Sequence, residues 1–289
     1  MELWEPKRRI ELAYRRALKS IALRIVAGID SFSDIGQLQQ YLTGLATSEA
    51  YYKLAEAAAM KMVTHLFDDQ GHTWRQAAML NGKGRTFYEA LQKELQGTTG
   101  RMLSEQVRRN AGIIRTLPLD ISNDVTEYIA KETMRGRRAS DIAREIALKF
   151  PEQTRARADT IARTEVSKTQ TGLTESRCRQ FGVNWYVWRA CGGMSGDGRT
   201  RSSHRSMSGI IICWDEPPSP EDLFHLIGKN GKRYRNSLGH YHAGCCPNCR
   251  CYPEPVISLD FLTWPMRIYR NGSVSKISRT EFMQLANIS

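Results

Sequence analysis

The segment Asn184-Trp185-Tyr186-Val187-Trp188 marks the point at which this chain changes its secondary structure. Its aromatic and β-branched side chains are typical of a strand. Gly182 closes the helical sequence before it, and Ile210-Ile211-Ile212-Cys213-Trp214 predicts a second, buried strand after it. The sequence therefore predicts helices before residue 182 and short strands after it.

The chain before residue 182 is predicted to form successive helices. In the first, from about Pro6 to Ala27, apolar residues recur every three or four positions and form one face. Gly71 and Pro118 are expected to interrupt the helical pattern, because both residue types are poor helix formers. The further helices are predicted at residues 33–42, 47–67, 86–95, 99–117, 122–134, 140–150 and 152–180.

The chain after residue 182 is rich in loops, with glycines and prolines between short strand patterns. Residues 266–269 and 274–277 predict a hairpin around Asn271-Gly272. Ser278 and Glu281 have the spacing of a capping box that opens a last helix. We therefore predict an α+β fold, in which a mainly helical N-terminal domain (about residues 1–180) precedes a small, loop-rich α/β C-terminal domain with short strands.

The composition is that of a globular protein with an excess of positive charge. The 289 residues are 41% hydrophobic and 25% charged, and the net charge is +12. The excess is spread along the chain, which suits a protein that works close to nucleic acid or another acidic surface. An unspecialised basic surface explains it equally well. No apolar run approaches the roughly 18 residues that a membrane helix needs, so no membrane association is expected.

Cysteine and histidine are concentrated in one short part of the C-terminal region. The segment Cys246-Pro247-Asn248-Cys249-Arg250-Cys251 contains three thiols within six residues. Sulfur and imidazole donors at this density suit Zn²⁺. One Cys-x-x-Cys pair supplies only two of the four ligands that a closed zinc site needs. The candidates for the others are Cys251, Cys245, His240, His242 and the distant His204 and Cys191.

Two other interpretations of the cysteines stay open at this stage. They are reduced thiols that bind nothing, or they form a disulfide. The disulfide is the less expected of the two, because seven cysteines leave at least one unpaired. The start of the chain, Met1-Glu2-Leu3-Trp4, also has no apolar segment of the kind that marks a protein for secretion.

Several motifs occur in an order that is similar to that of a known family. They are Ala162-Arg163-Thr164-Glu165 on a helix, the strand that ends at Trp188, the segment from Asp197 to His204, and Pro247-Asn248-Cys249-Arg250-Cys251 before Pro253. Over about residues 120–257 the chain resembles the phage Mu F-like head morphogenesis family, the minor capsid proteins of tailed phages. We divide the chain into a helical region at residues 1–118, a Mu F-like domain at 119–257, and a C-terminal hairpin and helix at 258–289.

The resemblance implies a structural virion protein and not an enzyme. Such a protein is present in low copy, lies at the capsid interior or portal vertex, and is assembled in the cytoplasm of the bacterial host. The implied partners are the portal protein, which residues 1–118 would contact, a major capsid or scaffolding protein, and packaged double-stranded DNA. Two alternatives are a metal-dependent nuclease that uses His204, His240, His242 and Asp197, and a basic DNA-binding module outside any virion.

The resemblance also implies site residues, with two departures. Many family members have a histidine where this chain has Cys246, and some have a Cys-x-x-Cys where it has Arg201 and His204. The implied structural zinc site is His204, Cys246, Cys249 and Cys251, with Cys245, His242, His240 and Cys191 as alternates. Five charged residues match the family pattern and are predicted to form buried ion pairs that brace the long helix against the small domain. They are Arg163, Glu165, Asp197, Arg199 and Arg201.

Overall fold

The computed structural model describes residues 3–29, 35–80, 91, 93–192, 200–224 and 237–287. The helices in this part of the chain are α1 (Arg8–Ile29), α2 (Ile35–Thr47), α3 (Glu49–Leu80), α4 (Thr98–Met134), α5 (Ala139–Gln180), α6 (Ser202–Met207), α7 (Pro220–Leu223) and α8 (Arg279–Ala286). The strands are β1 (Trp185–Arg189), β2 (Ile210–Cys213), β3 (Tyr252–Pro255), β4 (Met266–Arg270) and β5 (Ser273–Ile277). Short 3₁₀ turns lie at Glu94–Gln96 and Leu259–Phe261.

This architecture confirms the predicted α+β fold, because the long helices end at Gln180 and all strands in the described residues follow it. The strands predicted around Val187 and Ile211 are β1 and β2. The predicted hairpin is β4 and β5. The capping box is present as well: the Ser278 side chain accepts a hydrogen bond from the Glu281 N–H, and the Glu281 side chain accepts from the Ser278 N–H.

The helix breaks predicted at Gly71, Pro118 and residue 151 are wrong, whereas breaks are present between α2 and α3 and between α4 and α5. Pro118 lies inside α4 and Pro151 inside α5, and Gly71 lies inside α3. A proline removes one helical hydrogen bond, but tertiary packing compensates when the residues on both sides share a core. Leu117 and Ile121 flank Pro118 and belong to the same buried cluster. The helix predicted at residues 86–95 falls largely outside the described residues, as does the start of the helix predicted at residues 33–42.

The packing divides the chain into two compact units. The first, called the helical unit here, comprises Arg8–His65 and Leu103–Glu165. The second, called the sheet unit, comprises Met1–Lys7, Leu66–Met102 and Val166–Ser289. Helices α3, α4 and α5 each contribute residues to both units. The domain boundaries placed near residues 118 and 257 on sequence grounds stay predictions. Within the described ranges, no helix has both the length and the hydropathy that crossing a membrane requires.

The described residues of the helical unit include an apolar core cluster and a set of buried polar groups. The core is built from α1, α2, α4 and α5, and its buried members are Ile25, Leu38, Leu42, Leu117, Ile121, Val125, Ile142, Ile146 and Phe150. Beside it, the Tyr14 hydroxyl donates to Asn110 Oδ1 at 3.3 Å, and Asn110 is fully buried. Arg15 forms a two-pronged contact with Asp159, with both nitrogen–oxygen distances at 2.6 Å. Apolar packing and paired polar groups therefore hold these helices together.

The sheet unit is organised around a five-stranded sheet in the order β3-β1-β2-β4-β5. Strands β2 and β4 are parallel, and the other neighbouring pairs are antiparallel. Successive side chains of a strand point to opposite faces. Tyr186 and Trp188 pack on the face that holds the cysteines, while Val187 packs on the opposite face against Phe282 of α8. The C-terminal hairpin is therefore part of the same sheet as β1 and β2.

A buried ion pair connects α5 to the residues before α4 within the sheet unit. The side chain of Arg177 is 0% exposed and that of Glu94 is 3% exposed. Arg177 Nε and Nη2 each donate to a Glu94 oxygen at 2.8 Å, and Nη2 also lies 3.3 Å from the Phe67 carbonyl. Gly71 lies against this guanidinium, since a Cβ added there would be 3.8 Å from Arg177 Nη2. A Cβ at this position would make an ordinary van der Waals contact with the buried arginine.

We expect Arg177→Met to lower the free energy of unfolding by about 3–5 kcal/mol, because it leaves the Glu94 carboxylate buried without its partner. The double variant Arg177→Met/Glu94→Leu should recover most of this loss, since both charges are then removed. The matched control is Arg179→Met, which removes an exposed pair with Asp215 and should cost less than about 1 kcal/mol. Urea unfolding of the purified chain measures all three, and equal losses for Arg177→Met and Arg179→Met would contradict the interpretation.

Candidate functional site

The most concentrated group of reactive side chains in the sheet unit consists of His204, Cys249 and Cys251. His204 lies on α6, and the two cysteines lie directly before β3. His204 Nδ1 is 3.4 Å from Cys249 Sγ and 3.6 Å from Cys251 Sγ. All three side chains are buried. Within the described part of the chain, this is the one group of three or more potential ligands whose donor atoms lie within 4.8 Å of one another. These three residues could hold a soft or borderline metal ion.

A tight turn presents the cysteines. The Cys249 N–H donates to the Cys246 carbonyl at 3.1 Å, which closes a four-residue turn. Pro247 occupies its second position and Asn248, with φ of 58°, its third. A type II turn favours proline at the second position and needs a residue that tolerates positive φ at the third. The sequence Cys-Pro-Asn-Cys therefore forms this turn by its own local preferences.

A polar chain fixes the orientation of the His204 ring. Nε2 lies 2.9 Å from the Tyr241 hydroxyl oxygen, and that hydroxyl contacts both carboxylate oxygens of Glu221 at 2.8 Å. Because the tyrosine donates to the carboxylate, its oxygen can accept a hydrogen bond from a protonated Nε2. The lone pair of Nδ1 then faces the two sulfurs. Trp188 packs edge-on against the ring, with ring centroids 5.5 Å apart.

The two thiols that face His204 differ in acidity. The pKa of the Cys249 thiol is lowered well below its ordinary value, chiefly because Cys251 donates a hydrogen bond to it. The pKa of Cys251 is raised by that same shared proton and by burial. The Cys251 N–H also donates to Cys249 Sγ at 3.3 Å. Cys249 is thus the thiol that ionises more readily, and its surroundings stabilise a sulfur anion.

Cys246 lies beside this group but outside it. Its thiol is buried, which raises its pKa to about 11 against the opposing effect of Arg201. Arg201 Nη1 donates to Cys246 Sγ at 3.1 Å, and Arg201 Nη2 donates to the Pro247 carbonyl at 3.0 Å. A cationic side chain therefore holds both the sulfur and the turn that follows it. Three of the four predicted ligands meet directly, and the fourth is an immediate neighbour.

The alternate ligands lie elsewhere. His242 Nδ1 is 3.1 Å from the Tyr186 hydroxyl, and burial lowers the pKa of this histidine. His240 Nδ1 is 2.9 Å from the Pro217 carbonyl on an exposed surface. Cys191 and Cys245 are half-buried and lie outside the group around His204. All seven cysteines lie in the described residues, and none of them forms a disulfide.

The charged residues predicted to form one network have separate partners. Arg163 Nε lies 3.6 Å from Glu11 Oε1, and Glu165 Oε2 lies 3.6 Å from Arg109 Nε, both within the helical unit. Arg201 contacts Cys246 and Pro247 within the sheet unit. Asp197 and Arg199 lie outside the described residues. The predicted network as a whole therefore stays a prediction.

Helix α5 supports the loop that carries the cysteines, a contact that sequence reasoning missed. The Thr171 hydroxyl donates to the Ala243 carbonyl at 2.6 Å. Next to it, Gly244 has φ of +87°, and a Cβ added there would lie 2.5 Å from Thr171 Oγ1 and 2.9 Å from the Cys251 carbonyl oxygen. A glycine is required at this position for both its backbone conformation and its lack of a side chain. A glycine directly before two cysteines was the available sequence signal.

The comparison with known proteins addresses this same part of the chain. Residues 123–253 match the family model described as Phage Mu protein F like protein. This region belongs to the phage Mu F-like family. The match confirms the resemblance noted over about residues 120–257. The Mu F-like region includes all of α5, β1 and β2, and every residue of the group around His204. The C-terminal hairpin and α8 lie beyond it.

One relative extends the similarity beyond the Mu F-like region. The chain is 25% identical over 269 residues to a Haemophilus influenzae protein described as "Uncharacterized protein". The alignment covers 86% of this chain and 54% of that protein, so the chain spans about half the length of the curated relative it matches. No solved structure matches the chain.

We expect Gly244→Ala to lower the free energy of unfolding by about 2–5 kcal/mol, because it adds a steric clash to the cost of a left-handed backbone. Gly239→Ala is the matched control, since Gly239 has φ of +78° but nothing within 4 Å of an added Cβ. That variant should lose about 1–2 kcal/mol from the backbone alone. Urea unfolding measures both. Losses of the same size would show that the contact with α5 does not require the glycine.

Proposed function

We propose that this chain is a minor head protein of a tailed phage, present in low copy in the virion and needed for head morphogenesis. The Mu F-like match over residues 123–253 is the observation that carries the proposal. The motifs that define the resemblance all lie inside that match, from Arg163 and Glu165 on α5 to Cys251 before β3. We place the protein at the capsid interior, near the portal vertex.

The proposed partners are the portal protein and a major capsid or scaffolding protein. The helical unit is the proposed docking element. It exposes several large apolar side chains, among them Leu23 and Met60, each about half exposed. Single exposed apolar residues are common on protein surfaces, so their role in docking has to be tested directly. Aromatic, methionine and arginine side chains are the types most enriched at protein interfaces, which favours Met60 as a contact.

The capture experiment uses the chain and the portal protein encoded with it. We expect a tagged wild-type chain to retain the co-expressed portal protein through washing. Leu23→Glu and Met60→Glu should each lower the retained amount by about tenfold, because a charge replaces an apolar contact. Phe261→Glu is the matched control, since this exposed residue lies in the sheet unit. Equal retention by all variants would contradict docking through the helical unit, and no retention by the wild type would contradict the portal assignment.

Contact with packaged DNA is the second part of the proposal. The net charge of +12 supports it, because each phosphate neutralised by a lysine or arginine releases a counterion. If about five phosphates are contacted, the logarithm of the binding constant should fall with the logarithm of salt concentration with a slope of about −4 to −5. Fluorescence anisotropy with duplex DNA of random sequence measures this slope. A binding constant that does not change with salt would contradict phosphate contact.

We propose a structural and not a catalytic role for the group around His204. A hydrolytic metal needs an open coordination position that the substrate can reach, whereas His204, Cys249 and Cys251 are all buried. Purified protein should leave supercoiled plasmid intact in the presence of magnesium or zinc. Cleavage that is lost in His204→Ala would favour the metal-dependent nuclease instead. DNA binding by a protein that fails to join virions would favour the basic DNA-binding module.

A further inference from the structure

The distances around His204 match those between ligands of a tetrahedral zinc ion. With zinc–nitrogen bonds of about 2.0–2.1 Å and zinc–sulfur bonds of about 2.3 Å, a tetrahedral angle places nitrogen and sulfur about 3.6 Å apart. The observed distances from His204 Nδ1 to the two sulfurs are 3.4 and 3.6 Å. The donors are therefore already at the spacing that one shared zinc ion would impose.

Other uses of these residues explain less of the geometry. A nucleophilic cysteine paired with a histidine has to reach its substrate, and this group is almost completely enclosed. Inert buried thiols would not require an oriented histidine, yet hydrogen bonds through Tyr241 to Glu221 hold the far side of the His204 ring. A metal-bound histidine characteristically has its second nitrogen held in this way. The enclosure and the polar chain both favour a closed structural metal site.

We propose that the protein binds one structural Zn²⁺ ion through His204 Nδ1 and the sulfurs of Cys249, Cys251 and Cys246. Cys246 is the fourth ligand because the turn that Pro247 and Asn248 form holds it next to Cys249, as in other Cys-x-x-Cys zinc turns. Its sulfur lies outside the close group, so a change of χ1 accompanies ligation. The proposal concerns the fold of the sheet unit and does not depend on the virion role.

Arg201 supplies the counter-charge that this ligand set needs. Three thiolates and one neutral imidazole leave a net charge of −1 around Zn²⁺, and a buried net charge is unfavourable unless it is paired. Arg201 Nη1 is 3.1 Å from Cys246 Sγ, so its guanidinium lies against one of the proposed ligands. We therefore assign Arg201 a positioning role. It stabilises the thiolate of Cys246 and holds the turn through the Pro247 carbonyl.

The first experiment counts metal and thiolate ligands. Elemental analysis of the full chain purified without chelators should give about one zinc per chain, and a strong chelator should remove it with a clear drop in melting temperature. After exchange with Co²⁺, the ultraviolet sulfur-to-cobalt band should have the intensity of three thiolates in a tetrahedral site. Zinc well below one per chain, with no cobalt band, would overturn the site. A two-thiolate band would overturn the assignment of Cys246.

The second experiment tests single ligands against a matched control. Cys246→Ser should remove one third of the cobalt–sulfur intensity, and His204→Ala should lower zinc retention against a chromogenic chelator. Cys213→Ser is the control, because this free cysteine lies outside the group. Should a ligand variant fail to fold, the wild-type cobalt spectrum still decides the number of thiolates. Equal zinc retention by His204→Ala and Cys213→Ser would contradict ligation by the histidine.

The third experiment tests the supporting residues. Arg201→Gln and Tyr241→Phe should each weaken zinc binding by about tenfold to 100-fold, the usual effect of losing a group that supports a ligand. The three-thiolate cobalt spectrum should be kept in both variants, because the ligands themselves are unchanged. Arg201→Lys should retain more affinity than Arg201→Gln, since it keeps the positive charge. Identical affinities for those two variants would overturn the proposed charge balance.

Discussion

The sheet unit depends on one constraint, which is that its central strands are buried on both faces. Each residue of β1 and β2 must therefore be covered from one side or the other, and neighbouring residues from opposite sides. Tyr186 and Trp188 are covered by a layer that includes α6 and the loop carrying Cys246, Cys249 and Cys251, called the cysteine loop here. Val187 and Ile211 are covered by α8 and the residues before it. Neither layer alone encloses the sheet, so the part of the Mu F-like region after Glu165 and the C-terminal hairpin belong to one folded unit.

The cysteine loop has to cover one of these faces and present its thiols at the same time. Two neighbouring contacts set its distance from α5. Thr171 holds the Ala243 carbonyl, and Gly244 allows the backbone to approach the helix without a side chain between them. His204, on α6, contacts this loop although it is 45 residues away from Cys249 in the sequence. The site is thus a product of packing around the sheet, and its rigidity comes from the layers that enclose it.

Charged side chains have different kinds of partner in different parts of the molecule. Arg177 and Glu94 form a fully enclosed pair in which each acidic oxygen is satisfied. Such a pair adds little net stability compared with apolar packing, but it strongly disfavours arrangements that separate its members. Arg201 is also an arginine, but its guanidinium contacts the sulfur of Cys246. In the helical unit, Arg163 and Glu165 have partners on α1 and α4, so the family motif at residues 162–165 has a structural role in helix packing.

The sequence alone determined the features that depend on near neighbours. The strand around Val187, the hairpin around Asn271 and the capping box at Ser278 follow from local conformational preferences, and the structure confirms each one. The turn from Cys246 to Cys249 has the same local origin. The breaks expected at Gly71 and Pro118 were wrong, because burial on both sides of each residue outweighs its poor helix propensity.

Only the tertiary structure decided the features that depend on distant residues. The partner of Arg177, the support of the cysteine loop by α5, and the contact of Arg201 with Cys246 could not be inferred from spacing along the chain. His204 was one of several candidate ligands from the sequence, and the family resemblance also implied it, but its distance from Cys249 was known only from the fold. The physical reason is that these contacts join residues tens of positions apart. Their formation depends on how the two faces of the sheet are covered, and no local preference encodes that choice.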